Sequence, residues 1–172
     1  DEYAVLVKFL RSLNGCNEFR EIAGATLDLL SAFHLEGALQ LRLPDAELTL
    51  NHSGETSPLE ASIINHVRSL GSIAEFKSRA VFNYDLVSVL VNNMPLNDPE
   101  LCRRLRDHLA MAAETVNARV LAMLTRQENS KTKAEISDLL QILNGTIREF
   151  GKKYEEARFE GSETTRLMLA EL

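Results

Sequence analysis

The chain has 172 residues, is 45% apolar and carries a net charge of −6. Residues 1–97 hold 12 acidic and 7 basic side chains, and residues 98–172 hold 13 and 12. An apolar share of this size excludes a disordered chain, and neither half offers the basic field that nucleic-acid binding needs.

Tyr3, Val5, Leu6, Phe9, Leu10 and Leu13 fall on helical spacing, and Asn14-Gly15 ends that helix. Asn17 is placed to cap a second helix, whose buried face is Phe19, Ile22, Ala23, Thr26, Leu30 and Phe33. At Gly37 the period changes from 3.6 to 2. Leu39, Leu41 and Leu43 point one way, and Gln40 and Arg42 point the other. Pro44-Asp45 turns the chain into a second strand with Leu48 and Leu50, followed by a polar loop from Asn51 to Thr56. Ser57-Pro58-Leu59-Glu60 starts a helix over 57–70: serine caps, proline sits first, and the glutamate closes a capping box. Its apolar face is Ile63, Ile64, Val67 and Leu70, and Gly71 stops it.

Three strands are expected next: Ile73 to Lys77, Ala80 to Tyr84 and Leu86 to Asn92. The last is nearly all apolar and reads as a central strand covered on both faces. Asn92-Asn93 belongs to the exit turn. Asp98-Pro99-Glu100 starts another helix, with Leu101, Leu105, Leu109, Ala112, Val116, Val120, Met123 and Leu124 as its apolar face. Met111 and Met123 read as core-filling residues. No proline follows Pro99. The polar run Gln127 to Lys133 is either a hinge or a wet stretch of one continuous helix. Unbroken helix from Glu100 to Arg158 would be about 90 Å long.

Ile136, Leu140, Leu143, Ile147, Phe150, Tyr154 and Ala157 then alternate at steps of four and three. That is a heptad seam, and a narrow seam stays wet unless a second helix covers it. Gly145 and Gly151 interrupt the segment at about 1 kcal/mol each, and Gly161-Ser162 is expected to end it. Phe150 and Tyr154 are bulky for a two-stranded core. Parallel pairing, antiparallel pairing and packing against helix 98–126 all stay open. We divide the chain into residues 1–126 and a helical extension over 127–172.

The residues name no reaction, and we expect no catalytic residue, no metal and no cofactor. His34, His52, His66 and His108 have no metal-ligand spacing. No serine lies in a nucleophile elbow, and no glycine-rich phosphate loop exists. Cys16 and Cys102 read as reduced buried thiols of a cytoplasmic protein, with a disulfide as the rival. Arg103, Arg104 and Arg106, flanked by Asp98, Glu100 and Asp107, read as a solvated helix face. No stretch reaches the roughly 18 apolar residues of a membrane span. Asp1-Glu2-Tyr3 shows no signal-peptide pattern, and the lack of an initiator methionine leads us to expect a piece of a longer protein.

The order helix, helix, two strands, helix, three strands, long helix is similar to the GAF and PAS families of signalling domains. SPLEASIINHVRSL (57–70) and VLVNNMPLNDPELCRRLRDHLAMAAETVNARV (89–120) resemble the region that follows a receiver domain in some bacterial response regulators. The likeness covers about residues 1–125. It implies an α+β fold: a small five-stranded antiparallel sheet flanked by helices, with a long C-terminal helical or coiled-coil extension. It implies a non-enzymatic module of a two-component system. Such a module would be homodimeric through its terminal helices and joined to a receiver domain upstream. No bilin-type cysteine, haem-type histidine or cyclic-nucleotide signature is found, so no family site residue is carried over. The alternative is a small-ligand sensor with a pocket between the sheet and helix 57–70, where His66, Tyr84 and Ser88 are the candidate contacts.

Overall fold

The computed structural model describes residues 2–54, 56–68 and 71–170. The chain divides into two units, Asp1–Leu124 and Thr125–Leu172. Its elements are α1 (Glu2–Gly15), α2 (Phe19–Ala32), β1 (Gly37–Leu43), β2 (Ala46–Asn51), α3 (Pro58–Val67), β3 (Ile73–Phe76), β4 (Arg79–Asn83), β5 (Val87–Val91) and α4 (Pro99–Ala170). The five strands form one sheet in the order β2-β1-β5-β4-β3, and every pairing is antiparallel. The expected five-stranded antiparallel sheet is therefore present, with β5 at its centre.

The apolar stripes of the first unit explain its layers. Leu6, Phe9 and Leu13 of α1 are buried, as are Ile22, Ala23, Thr26, Leu27, Leu29 and Leu30 of α2. With Leu105, Leu109, Ala112, Val116 and Val120 of α4 they form the main core. Leu39, Leu41, Phe82, Val87, Val89 and Val91 belong to the same core and mark the sheet face it covers. A smaller core of Ala38, Ile64, Val67, Val81 and Leu90 lies on the other face, under α3. At Gly37, β1 and β5 leave no room for a side chain. A Cβ there would sit 1.9 Å from the Leu90 carbonyl oxygen.

Local signals set the element ends. Ser57 caps α3 by accepting the Glu60 N–H at 3.2 Å, and Gly71, at φ +122°, follows it. The expected Leu70 contact lies outside the described residues. Asp98 caps α4, accepting the Leu101 N–H at 2.9 Å. Asn17 is not the cap of α2, as the sequence had suggested. Glu18 holds that position, and the Glu21 carboxylate accepts both the Asn17 and Glu18 N–H groups. Asn17 instead donates its side-chain amide to the Gly15 carbonyl.

Two further expectations are corrected, and one alternative is decided. The run 127–133 is the wet stretch of one continuous helix, and α4 does not stop at Gly161-Ser162: it is helical to Ala170, through Gly145, Gly151 and Gly161. Gln, Glu and Lys are good helix formers, and an isolated glycine costs too little to break a helix by itself. Met111 is exposed, whereas Met123 is buried. Gln40 and Arg42 do point to the face opposite the leucines, and that face is not open to solvent. Both are buried, because α3 covers the sheet face to which they point. Both cysteines are free and buried.

Candidate functional site

The sheet face under α3 has an apolar half and a polar half, set by strand register. Ala38, Leu90 and Val81 pair across β1, β5 and β4, and Ile64 and Val67 cover them. Two residues along, Thr49, Gln40, Ser88 and Asn83 pair across four strands. Side chains two apart on a strand share a face, so this polar row is continuous. Asn83 Nδ2 ties the row to the end of α3, donating to the Val67 carbonyl at 3.1 Å and to the Gly71 carbonyl at 3.4 Å.

Arg42 enters the row from the end of β1 and is only 6% exposed. Its Nε donates to the Asp85 carbonyl at 2.9 Å. Its Nη1 donates to Gln40 Oε1 at 3.2 Å and to Ser88 Oγ at 2.7 Å. Its Nη2 donates to the Tyr84 carbonyl. Ser88 Oγ in turn donates its hydroxyl to Asn83 Oδ1 at 2.5 Å. All four acceptors of Arg42 are neutral oxygens. Burial, then the neighbouring charge of Arg68, pushes the Arg42 guanidinium pKa down, with Glu47 and Asp85 opposing. The network borders an open cleft of about 450 Å³ lined by Arg42, Arg68, Gly71, Ser72, Asn83, Tyr84 and Asp85.

The three expected ligand residues are not brought together. His66 is exposed on α3, where Ile64 and Val67 are the buried positions. Tyr84 turns its hydroxyl away from the α3 side and donates to the Ala110 carbonyl of α4 at 3.1 Å. Burial, and then the charge of Glu114, raises its phenol pKa. Ser88 is fully buried and committed to Arg42 and Asn83. Ile64 and Val67 of α3 pack directly on Ala38, Val81 and Leu90 of the sheet, and of the three expected residues Tyr84 lines the cleft. Sequence reasoning missed Arg42. The signal was available: a two-sided apolar strand at 86–92 demands a cover on both faces, and the strand beside it must share that cover.

A second cleft, of about 550 Å³, lies at the other end of α3 and includes Ser31, Asn51, His52, Glu60 and Asn92. Glu60 accepts from Asn51 Nδ2 at 3.0 Å, from Asn92 Nδ2 at 3.1 Å and from the Ser57 N–H at 3.1 Å. Burial opposes its ionisation, but these bonds prevail and hold its pKa below the usual range. His52 Nε2 lies 2.6 Å from Ser31 Oγ. Asn92 and Asn93 do more than turn the chain. Asn93 Oδ1 accepts the Glu36 N–H at 2.7 Å and its amide donates to the His34 carbonyl. Among the described residues no cluster of His, Cys, Asp and Glu is arranged to hold a metal.

In the second unit the seam residues Ile136, Leu140, Leu143, Ile147, Phe150 and Tyr154 are 52–70% exposed. Leu139, Ile142 and Phe159 are exposed beside them. In the first unit α1 has turned its own stripe into the core, leaving Tyr3 and Val7 as its large exposed apolar residues. Among the described residues no helix is long and apolar enough to cross a membrane.

No protein-family model matches the chain, and no curated protein matches it. Among solved structures it is similar to the native GAF domain of the potassium sensor histidine kinase KdpD from Escherichia coli. The TM-score is 0.53 at 17% identity, over 73% of this chain and 96% of that one. This likeness establishes a GAF-like α+β fold.

Proposed function

We propose that the chain is a non-enzymatic signal-transduction module of a bacterial two-component system, acting as a cytoplasmic homodimer through α4. The reading rests on one observation: α4 is unbroken, and its heptad seam is exposed along its length. Burying a large apolar side chain contributes about 1.5–3 kcal/mol, and a lone helix without packing is marginal in water. A second copy of the same seam supplies the missing cover by interlocking the two rows of side chains. Ile136, Leu140, Leu143, Ile147, Phe150 and Tyr154 form the interface. A change upstream, in a receiver domain, biases two arrangements of the paired helices and so alters what the module contacts. The GAF-like fold supports a signalling role by analogy of fold.

Light scattering over a dilution series tests the reading. A dimer at micromolar concentration is expected, and a monomer at tens of micromolar sinks it. Replacing Leu143 and Ile147 together with serine should give monomers while the far-ultraviolet signal of the sheet is kept. Association that survives this change places the interface elsewhere.

A further inference from the structure

We infer that the cleft beside Arg42 is a binding site for a small oxyanion-bearing ligand, with the Arg42 guanidinium at its floor and Arg68 at its rim.

Three features carry this. The first is the donor count. A guanidinium has five N–H donors. Among the described residues Arg42 commits four of them, to Asp85, Gln40, Ser88 and Tyr84, which leaves one N–H of Nη2 over. The second is the charge. A buried cation is ordinarily paired with a carboxylate, and the four acceptors of Arg42 are all neutral. Among the described residues no carboxylate lies within ion-pair distance of it. The four bonds hold the planar fork in one orientation, and a preorganised fork loses little freedom when it binds an oxyanion.

The third feature is the surrounding wall. Arg68 lines the same cleft and is half exposed, with one bond to Glu47 Oε1 at 3.3 Å. Ser72 adds a hydroxyl. Apart from its own chain neighbours, Gly71 has nothing within 4 Å of the place where a Cβ would sit, so it adds no side chain to that part of the wall. Asp85 is the one acidic residue of the lining, and Glu47 stands behind Arg68, so the two arginines outweigh the charge inside the cleft. Phosphate and carboxylate groups both fit a fork of this chemistry. The inference is independent of helix association, which is read by a different measurement.

The test is a titration of the full 172-residue chain, followed by 1H–15N resonances of the Arg42 Nε–H and the Ser72 and Asp85 amides. Inorganic phosphate and succinate are the two probes, and sodium chloride at matched ionic strength is the control. Saturable shifts at these three groups with phosphate or succinate, absent in chloride, are expected. The responding probe identifies the anion class. Arg68→Gln, on an exposed side chain, should weaken the affinity several-fold without altering the fold. Arg42→Lys keeps the charge and removes the fork, and should abolish saturation. Shifts that follow ionic strength equally in chloride overturn the inference. So does a saturable response that Arg68→Gln leaves unchanged.

Discussion

Glu2, in the first turn of α1, meets Arg104 of α4 at two points: Nε to Oε2 at 3.2 Å and Nη2 to Oε1 at 3.1 Å. His108 Nε2 lies 3.7 Å from the same carboxylate. The pair fixes the start of α1 to α4, one helical turn from the site where the Tyr3 ring packs edge-on to His108. The Arg104 hydrogen bonds hold the Glu2 carboxyl below its ordinary value. A depressed carboxylate contributes stability that is present above the unfolded-state value and is lost as pH falls through the folded one. Urea unfolding at pH 7 and at about pH 3.5 measures this. Arg104→Gln should lower stability at pH 7 and flatten the loss on acidification. An acid limb as steep as that of the parent protein would show that the pair adds nothing.

Glu60 gives a second acid-sensitive contact, and its work is local. It closes the capping box of α3 and ties Asn51 and Asn92 to that helix. Glu60→Ala leaves two amides and a helix start without their charged acceptor. A loss of about 1–3 kcal/mol is expected. Glu60→Gln retains shape but not charge, so its loss should be smaller at pH 7 and its stability less dependent on acid. Equal losses for both would mean that geometry alone matters there.

Gly37 and Gly24 make an opposed pair. A Cβ at Gly37 would meet the Leu90 carbonyl oxygen at 1.9 Å and its carbon at 2.9 Å, both backbone atoms of β5. The backbone cannot step aside without breaking the β1–β5 pairing. Gly37→Ala should cost about 3 kcal/mol. Gly24 sits exposed in α2 with nothing within 4 Å of its Cβ position. Gly24→Ala should stabilise by about 0.5–1 kcal/mol, because alanine is the better helix former. Midpoints of urea unfolding for the two variants should move in opposite directions.

The elements that proved legible were those with a local signal. Ser57-Pro58 and Asp98-Pro99 mark helix starts in the structure, and the apolar run at 86–92 becomes the central strand β5. What stayed hidden depends on register. Gln40 and Arg42 alternate with leucines, and alternation alone reads as a wet face. Only the pairing of Gln40 with Ser88 and Thr49 shows a polar row under α3. The same limit scattered the expected ligand residues. Tyr84 and Ser88 lie four apart along a hairpin, yet Tyr84 bonds to α4 while Ser88 faces the side of α3. The polar run at 127–133 left a hinge and a continuous helix both open because it carries no apolar stripe to decide between them, and backbone propensity sufficed to continue the helix.

Gly145 and Gly151 offer a test of how α4 is held. Both lie inside the helix, off the seam, with nothing within 4 Å of their Cβ positions. Each weakens the helix by about 1 kcal/mol relative to alanine. Residues 125–164 are exposed throughout, so in a single chain propensity carries this stretch, and propensity alone leaves a helix near the margin. The proposed pairing through the seam would then have to offset whatever helix is unformed in the separate chains. Replacing both glycines with alanine should raise the helical circular-dichroism signal at concentrations where chains are separate. With two glycines replaced in each of two chains, the same change should tighten association by up to about 1,000-fold, the equivalent of about 4 kcal/mol. Sedimentation equilibrium on the parent and the double variant gives the two constants. A helical gain without any change in association would mean that the interface forms on surfaces already folded, and that the seam is not among them.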